Sequence, residues 1–232
     1  MQIRRMYSNL DHVFTPIDFN CGYRSNILNL IFAEIRHPEN RSMDSHNLGK
    51  TLLIHLIDFL FLKQIASSEH FLERHKDRFA SFTFFMEIAL NAGDYVTVRR
   101  SVENNTRIAF KRHEEQAQDL VGAADEEWDH RDLPLERAVE LLDAYLDLSV
   151  LKPWNYRKGI SYFLRTQDDY RDVLQIQKFV RGRDADWKPF VAHLFGLDHH
   201  AVERKYELDG TIESWPNTGK FGKRKCRPPS TI

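Results

Sequence analysis

The residues with the most chemical content are Asp44-Ser45-His46-Asn47-Leu48-Gly49-Lys50-Thr51. They read as a phosphate-binding loop of the form G-x-x-x-x-G-K-[ST], with Asp44 standing where the first glycine belongs. Gly49 lets the backbone turn so that its N–H groups face a phosphate. Lys50 brings a point charge to the β- and γ-phosphates, and the Thr51 hydroxyl is a ligand for Mg²⁺. A helix starting at this point adds the positive end of its dipole. Asp44 is a departure, because a carboxylate beside phosphates is unfavourable unless it points away or caps the turn. The plainer alternative is a surface turn that contains Gly-Lys-Thr by chance, so the flanking segments must decide.

Before the loop, residues 26–35 form an apolar run of strand length. After it, residues 52–62 are almost wholly apolar. Lys50, Thr51, His55, Asp58 and Lys63 recur at near-helical spacing and leave one narrow polar stripe, the pattern of a helix buried on most sides. Strand, loop and buried helix are the setting that a phosphate-binding loop requires.

The elements around this core follow from local patterning. Residues 1–7 suggest a short strand. Residues 13–19 alternate, with Pro16 confining them to a sheet edge. Asn20-Cys21-Gly22 signals a turn, and the polar residues 36–43 form an exposed lead into the loop. A polar helical stretch is expected at 68–79. The period then changes. Residues 81–90 are rich in aromatics, Asn91-Ala92-Gly93-Asp94 is a hairpin turn, and 95–102 and 106–111 continue as strands around a turn at Asn104-Asn105. Three strands joined by two short turns make an antiparallel meander.

Residues 113–131 are acidic and read as a solvated loop or lid. Asp132 is placed to cap a helix running to Leu148, in which Leu135, Ala138, Val139, Leu142, Tyr145 and Leu146 share a face. A short strand at 160–164 leads to a helix opened by Asp168 or Asp169. A further helix starts at Asp186 with Phe190, Val191, Leu194 and Phe195 inside, and Gly196 stops it. Asp198 caps a last helix, in which Ala201, Lys205, Leu208 and Ile212 have the 4-3-4 rhythm of a coiled-coil seam. From Trp215 the chain holds five basic residues, three prolines and no acidic residue, the composition of a disordered tail.

Composition bounds the rest. The chain has 232 residues, 42% hydrophobic and 29% charged, which suits a globular protein with a sizeable core. The net charge of −1 means that any nucleic-acid contact must come from a local patch, for which Arg99, Arg100, Arg107, Lys111 and Arg112 on the meander are candidates. Two distant cysteines, Cys21 and Cys226, suggest neither a disulfide framework nor a zinc site and point to a reducing, cytoplasmic setting. No signal peptide or membrane span is expected. Among eleven histidines, His70 and His75 are five apart and His199-His200 are adjacent. Neither pair comes with a carboxylate or thiol grouping that argues for a metal. Phe82, Phe84, Phe85 and Tyr95 read as core, with a base-stacking platform as the rarer alternative.

This order of elements resembles the N-terminal half of an ABC-type ATPase head of the SMC/RecN/RecF kind. It is most similar to the SMC-like ATPases of bacterial phage-defence operons. There Asp-Ser-x-Asn-x-x-Gly-Lys-[Ser/Thr] precedes an apolar Leu-Ile-Asp-Phe helix, as Asp44–Thr51 and Leu56-Ile57-Asp58-Phe59 do here. The resemblance implies an α/β fold of α+β character, a P-loop NTPase half-head with a mixed sheet. Residues 1–131 would be the nucleotide-binding core, 132–214 a helical lobe leading toward a coiled coil, and 215–232 a basic tail. It implies ATP and Mg²⁺ as ligands. Asp44, Ser45, His46, Asn47, Leu48, Gly49, Lys50 and Thr51 would form the nucleotide-binding segment, in which the backbone of Asn47, Leu48 and Gly49 would cradle phosphate and Lys50 would hold the β/γ-phosphates. Thr51 would ligate Mg²⁺. Gln167 would be the glutamine that senses Mg²⁺ and the attacking water, unless it is an ordinary surface glutamine near a helix start. Implied partners are a C-terminal half-head or second head in a dimer, DNA, and a defence-operon protein. The sequence holds no Leu-Ser-Gly-Gly-type signature and no apolar strand ending in Asp-Glu. A truncated half-head is therefore expected, one that hydrolyses ATP only when complemented. A non-catalytic interaction module with a vestigial loop and a nucleotide-independent nucleic-acid-binding protein are the other two readings.

Overall fold

The computed structural model describes residues 1–19, 28–31, 49–65, 70–165 and 183–214. The fold is mixed α and β. Its strands are β1 (Gln2–Ser8), β2 (Ile17–Asp18), β3 (Thr83–Ala89), β4 (Tyr95–Ser101), β5 (Arg107–His113) and β6 (His130–Pro134). Its helices are α1 (Lys50–Leu60), α2 (Phe71–Arg74), α3 (Lys76–Phe79), α4 (Leu135–Leu146), α5 (Tyr156–Phe163), α6 (Asp184–Leu194) and α7 (His199–Ser214). The chain divides into two compact units, Met1–Arg181 and Gly182–Ile232.

In the first unit the six strands form one sheet in the order β2-β1-β3-β4-β5-β6. Every neighbouring pair is antiparallel. The meander β3-β4-β5 forms where the turn residues predict it. At the first turn the Leu90 N–H donates to the Asp94 carbonyl at 2.8 Å, and Gly93 takes φ 100°, a value most side chains resist. The mixed sheet expected from the sequence is not found among the described residues. Of the strand anticipated at 26–35, residues 28–31 carry no strand pairing, and Leu28 and Leu30 are 82% and 81% exposed. The remainder lies outside the described residues.

β3 is buried along nearly its whole length because both of its faces are covered, with Glu87 its one buried charged residue. On one face Phe84 meets the edge of Phe59 from α1, centroids 6.4 Å apart. On the other, Phe85 stacks on Tyr7 at 4.8 Å, and Leu120 and Trp128 close over them with Ala109. Leu120 and Trp128 belong to the acidic stretch between β5 and β6. Its carboxylates do face solvent, as the sequence suggests, but those two anchors make it a strap across the sheet. The Leu120 N–H donates to the Tyr7 hydroxyl at 3.2 Å, and the Ala117 N–H donates to the buried Glu87 carboxylate at 2.8 Å. Phe82, Phe84 and Phe85 are buried and serve as core.

Three local expectations are corrected. Asp132 does not cap a helix. It sits inside β6 at φ 55°, because residues 130–134 pair with β5 (Ile108 opposite Leu133), and α4 starts only after Pro134. Residues 160–164 are not a strand but largely the last turns of α5. Tyr156, Gly159 and Ile160 are buried at helical spacing, and the first N–H of α5, on Tyr156, is satisfied from α4 by Asp143 Oδ1 at 2.7 Å. α1 is buried along one face, Leu56, Phe59 and Leu60, and half-buried elsewhere, rather than buried on most sides.

In the second unit the Asp198 carboxylate caps α7, accepting from the Ala201 N–H at 3.2 Å, as predicted. Phe190 is buried, whereas Leu194 and Phe195, expected inside, are 39% and 72% exposed because the helix ends there. Ala201, Lys205, Leu208 and Ile212 all lie exposed along α7.

Candidate functional site

The two ends of α1 are built differently, and the difference defines the site. At the carboxyl end, the last carbonyls of a helix lack partners within it and favour cations. Arg100 from β4 supplies one. Its Nη1 donates to the carbonyls of Phe59 (2.5 Å) and Lys63 (3.0 Å), and its Nε donates to that of Asn105 (2.7 Å). The guanidinium also lies 4.1 Å from the centre of the Phe59 ring. From α5, the Tyr156 hydroxyl and Arg157 Nη1 both donate to the Phe61 carbonyl, at 3.0 and 3.1 Å. Asp58 pairs with Arg157 at 2.8 Å and Lys63 at 2.7 Å. Burial pushes the Asp58 carboxyl up, but these two cations outweigh it and hold its pKa below the usual value. Burial lowers the Arg100 pKa and raises that of Tyr156.

At the amino end, Gly49 takes φ 73°, in the left-handed region. A Cβ added there would meet nothing within 4 Å, so the position calls for glycine by its backbone angle and not by space. The helical bonds begin with the Leu53 N–H donating to the Gly49 carbonyl at 3.0 Å. The N–H groups of the first turn therefore have no acceptor within the helix. No acidic residue stands in that turn, and Thr51 is exposed. Lys50 is the first helical residue. A phosphate at this end would meet backbone donors and the positive end of the dipole, with the Thr51 hydroxyl exposed beside them. Asp44, Ser45, His46, Asn47 and Leu48 lie outside the described residues, as does Gln167.

The basic residues of the meander differ in burial, and the exposed ones stand in surface ion pairs or hydrogen bonds. Arg100 is fully buried, so it is not part of any surface patch. Arg99 pairs with Asp125 at 3.3 Å and lies over Trp128. Arg107 pairs with Asp132, Lys111 donates to the Glu127 carbonyl, and Arg112 pairs with Asp94. A cleft of about 490 Å³ on the strap face is lined by Arg99, Arg107 and Arg131 together with Asp125 and Asp132, so its charge is nearly balanced.

The histidines separate. His70 is structural: its Nδ1 accepts from the Leu72 N–H at 3.3 Å at the head of α2, and burial pushes its pKa down to about 4. His199 and His200 stand apart from it in the second unit. The sequence reading sets them aside for want of a carboxylate, yet Glu203 joins them one turn along α7. The signal was the i, i+3 and i, i+4 spacing. Among the described residues no helix is long and apolar enough to cross a membrane. A scan against protein-family models and searches of curated proteins and solved structures give no match.

Proposed function

We propose that the chain binds Mg·ATP at the head of α1, as a nucleotide-binding head segment of the SMC-like ATPase kind. The observation that carries this reading is the asymmetry of α1: a carboxyl end whose Phe59, Phe61 and Lys63 carbonyls accept from buried side chains, and an amino end opening on Gly49-Lys50-Thr51 with its first-turn N–H groups free of helical acceptors. In this reading Lys50 neutralises the β/γ-phosphates, the Thr51 hydroxyl orients Mg²⁺, and the Gly49 turn aims backbone donors at the phosphate oxygens. What the chain's residues do there is bind and hold charge. Hydrolysis would require a signature motif and an acidic base from a complementing half-head, because neither occurs in this sequence.

Thermal unfolding tests it. Mg·ATP is expected to raise the melting temperature of the wild type, by an increment equivalent to about 2.7 kcal/mol at a hundredfold excess over Kd. It should not raise that of Lys50→Ala. An equal shift in both, or none in either, removes the reading. A second reading, an interaction module, is favoured by one observation, the exposed Leu208 and Ile212 on α7. It predicts self-association or partner capture that Lys50→Ala leaves unchanged.

A further inference from the structure

We propose that the amino-terminal turn of α7 holds a divalent transition-metal ion of the zinc class through His199, His200 and Glu203. The ligand atoms of the three side chains all lie within 4.8 Å of one another. His200 Nδ1 and Glu203 Oε2 are 3.4 Å apart. Two ligands sharing a tetrahedral ion at bond lengths of ~2.0–2.1 Å are separated by roughly 3.3 Å, so this pair already stands at a coordination edge. The His199 and His200 rings are 4.0 Å apart between centroids, and the His193 ring, from the end of α6, lies 5.0 Å from His199.

Helix geometry explains the convergence. His199 and Glu203 are four apart and His200 and Glu203 three apart, so Glu203 lies over the turn that carries both imidazoles. The Asp198 cap fixes the backbone of that turn. The donor set, two imidazoles and one carboxylate, selects zinc, cobalt or nickel over magnesium and calcium, which prefer all-oxygen shells. Three protein ligands leave one tetrahedral position for water or a further ligand, and His193 is the nearest additional imidazole among the described residues. This site owes nothing to the Gly49 turn, and its failure and that of nucleotide binding are separately visible.

The test is a titration of the full-length chain with Co²⁺, followed by its visible absorption and by competition with Zn²⁺. One cobalt ion per chain is expected, with the bands of a low-coordinate nitrogen and oxygen site, and Zn²⁺ should displace it while millimolar Mg²⁺ should not. His200→Ala and Glu203→Gln should each weaken binding by at least about tenfold, since even groups that only orient a ligand are worth that much. Both side chains are substantially exposed, so these variants keep the fold, which circular dichroism checks. Lys50→Ala should bind cobalt as the wild type does. Absence of stoichiometric binding, wild-type affinity in either ligand variant, or displacement by Mg²⁺ would each overturn the assignment.

Discussion

α1 is only eleven residues long, yet its carboxyl and amino ends obey opposite rules. The carboxyl end is buried, and the carbonyls of Phe59, Phe61 and Lys63 there accept from side chains of β4 or α5. The amino end is exposed, opens on a left-handed glycine, and has no side-chain cap among the described residues. The contrast teaches how a fold separates stability from binding. Groups that hold the helix in place are desolvated and mutually satisfied, and the groups at the open end that a ligand would meet, Gly49 and Thr51 among them, are exposed.

The contrast can be broken from its strong end first. Arg100→Ala removes a buried charge that serves three carbonyls and the Phe59 ring. Urea unfolding should show a loss of ~3–5 kcal/mol, because the abandoned carbonyls stay buried. Asp58→Asn should cost less, ~1.5–3 kcal/mol, as it weakens charge-assisted bonds to Arg157 and Lys63 without emptying space. It also carries a pH signature. The Asp58 pKa is lowered in the folded chain, so its contribution is fully present above the unfolded value of ~3.9 and is lost as pH falls through the folded value. The stability difference between wild type and Asp58→Asn should therefore shrink on acidification below about pH 4. At the other end, Gly49→Ala should cost ~1–2 kcal/mol through backbone strain alone, without a change in buried contacts. Lys50→Ala should change stability by less than ~0.5 kcal/mol while abolishing any gain from Mg·ATP. A Lys50→Ala loss as large as that of Asp58→Asn would erase the distinction between the two ends.

The parts of this arrangement that could be read from the sequence are those whose causes are local. α1 announces itself by its polar stripe, and the β3-β4-β5 meander by its turn residues. The α7 cap needs only Asp198. What escaped reading depends on partners far along the chain. Arg100 looks like one of two surface arginines beside Arg99, but successive strand residues face opposite sides, so one lies under the strap and the other under α1. Only the register, Phe84 opposite Arg100, reveals which. α5 reads as a strand because the carboxylate that starts it, Asp143, sits on α4. β6 is hidden inside an acidic stretch because its partner β5, and not its own composition, makes it a strand. The Gly49 turn was legible from its type. Its placement at the open end of an otherwise closed helix was not.

Arg100 also sets an order of events. α1 leaves the ribosome before the meander, and the guanidinium that closes its carboxyl end arrives 41 residues later. β3, β4 and β5 need only short loop closures and should nucleate among themselves, with little entropy lost. On that expectation the helix would be recruited to a sheet that already exists. The Gly49 turn should thus take its final position late, and slow steps in refolding should appear there before they appear in the strands.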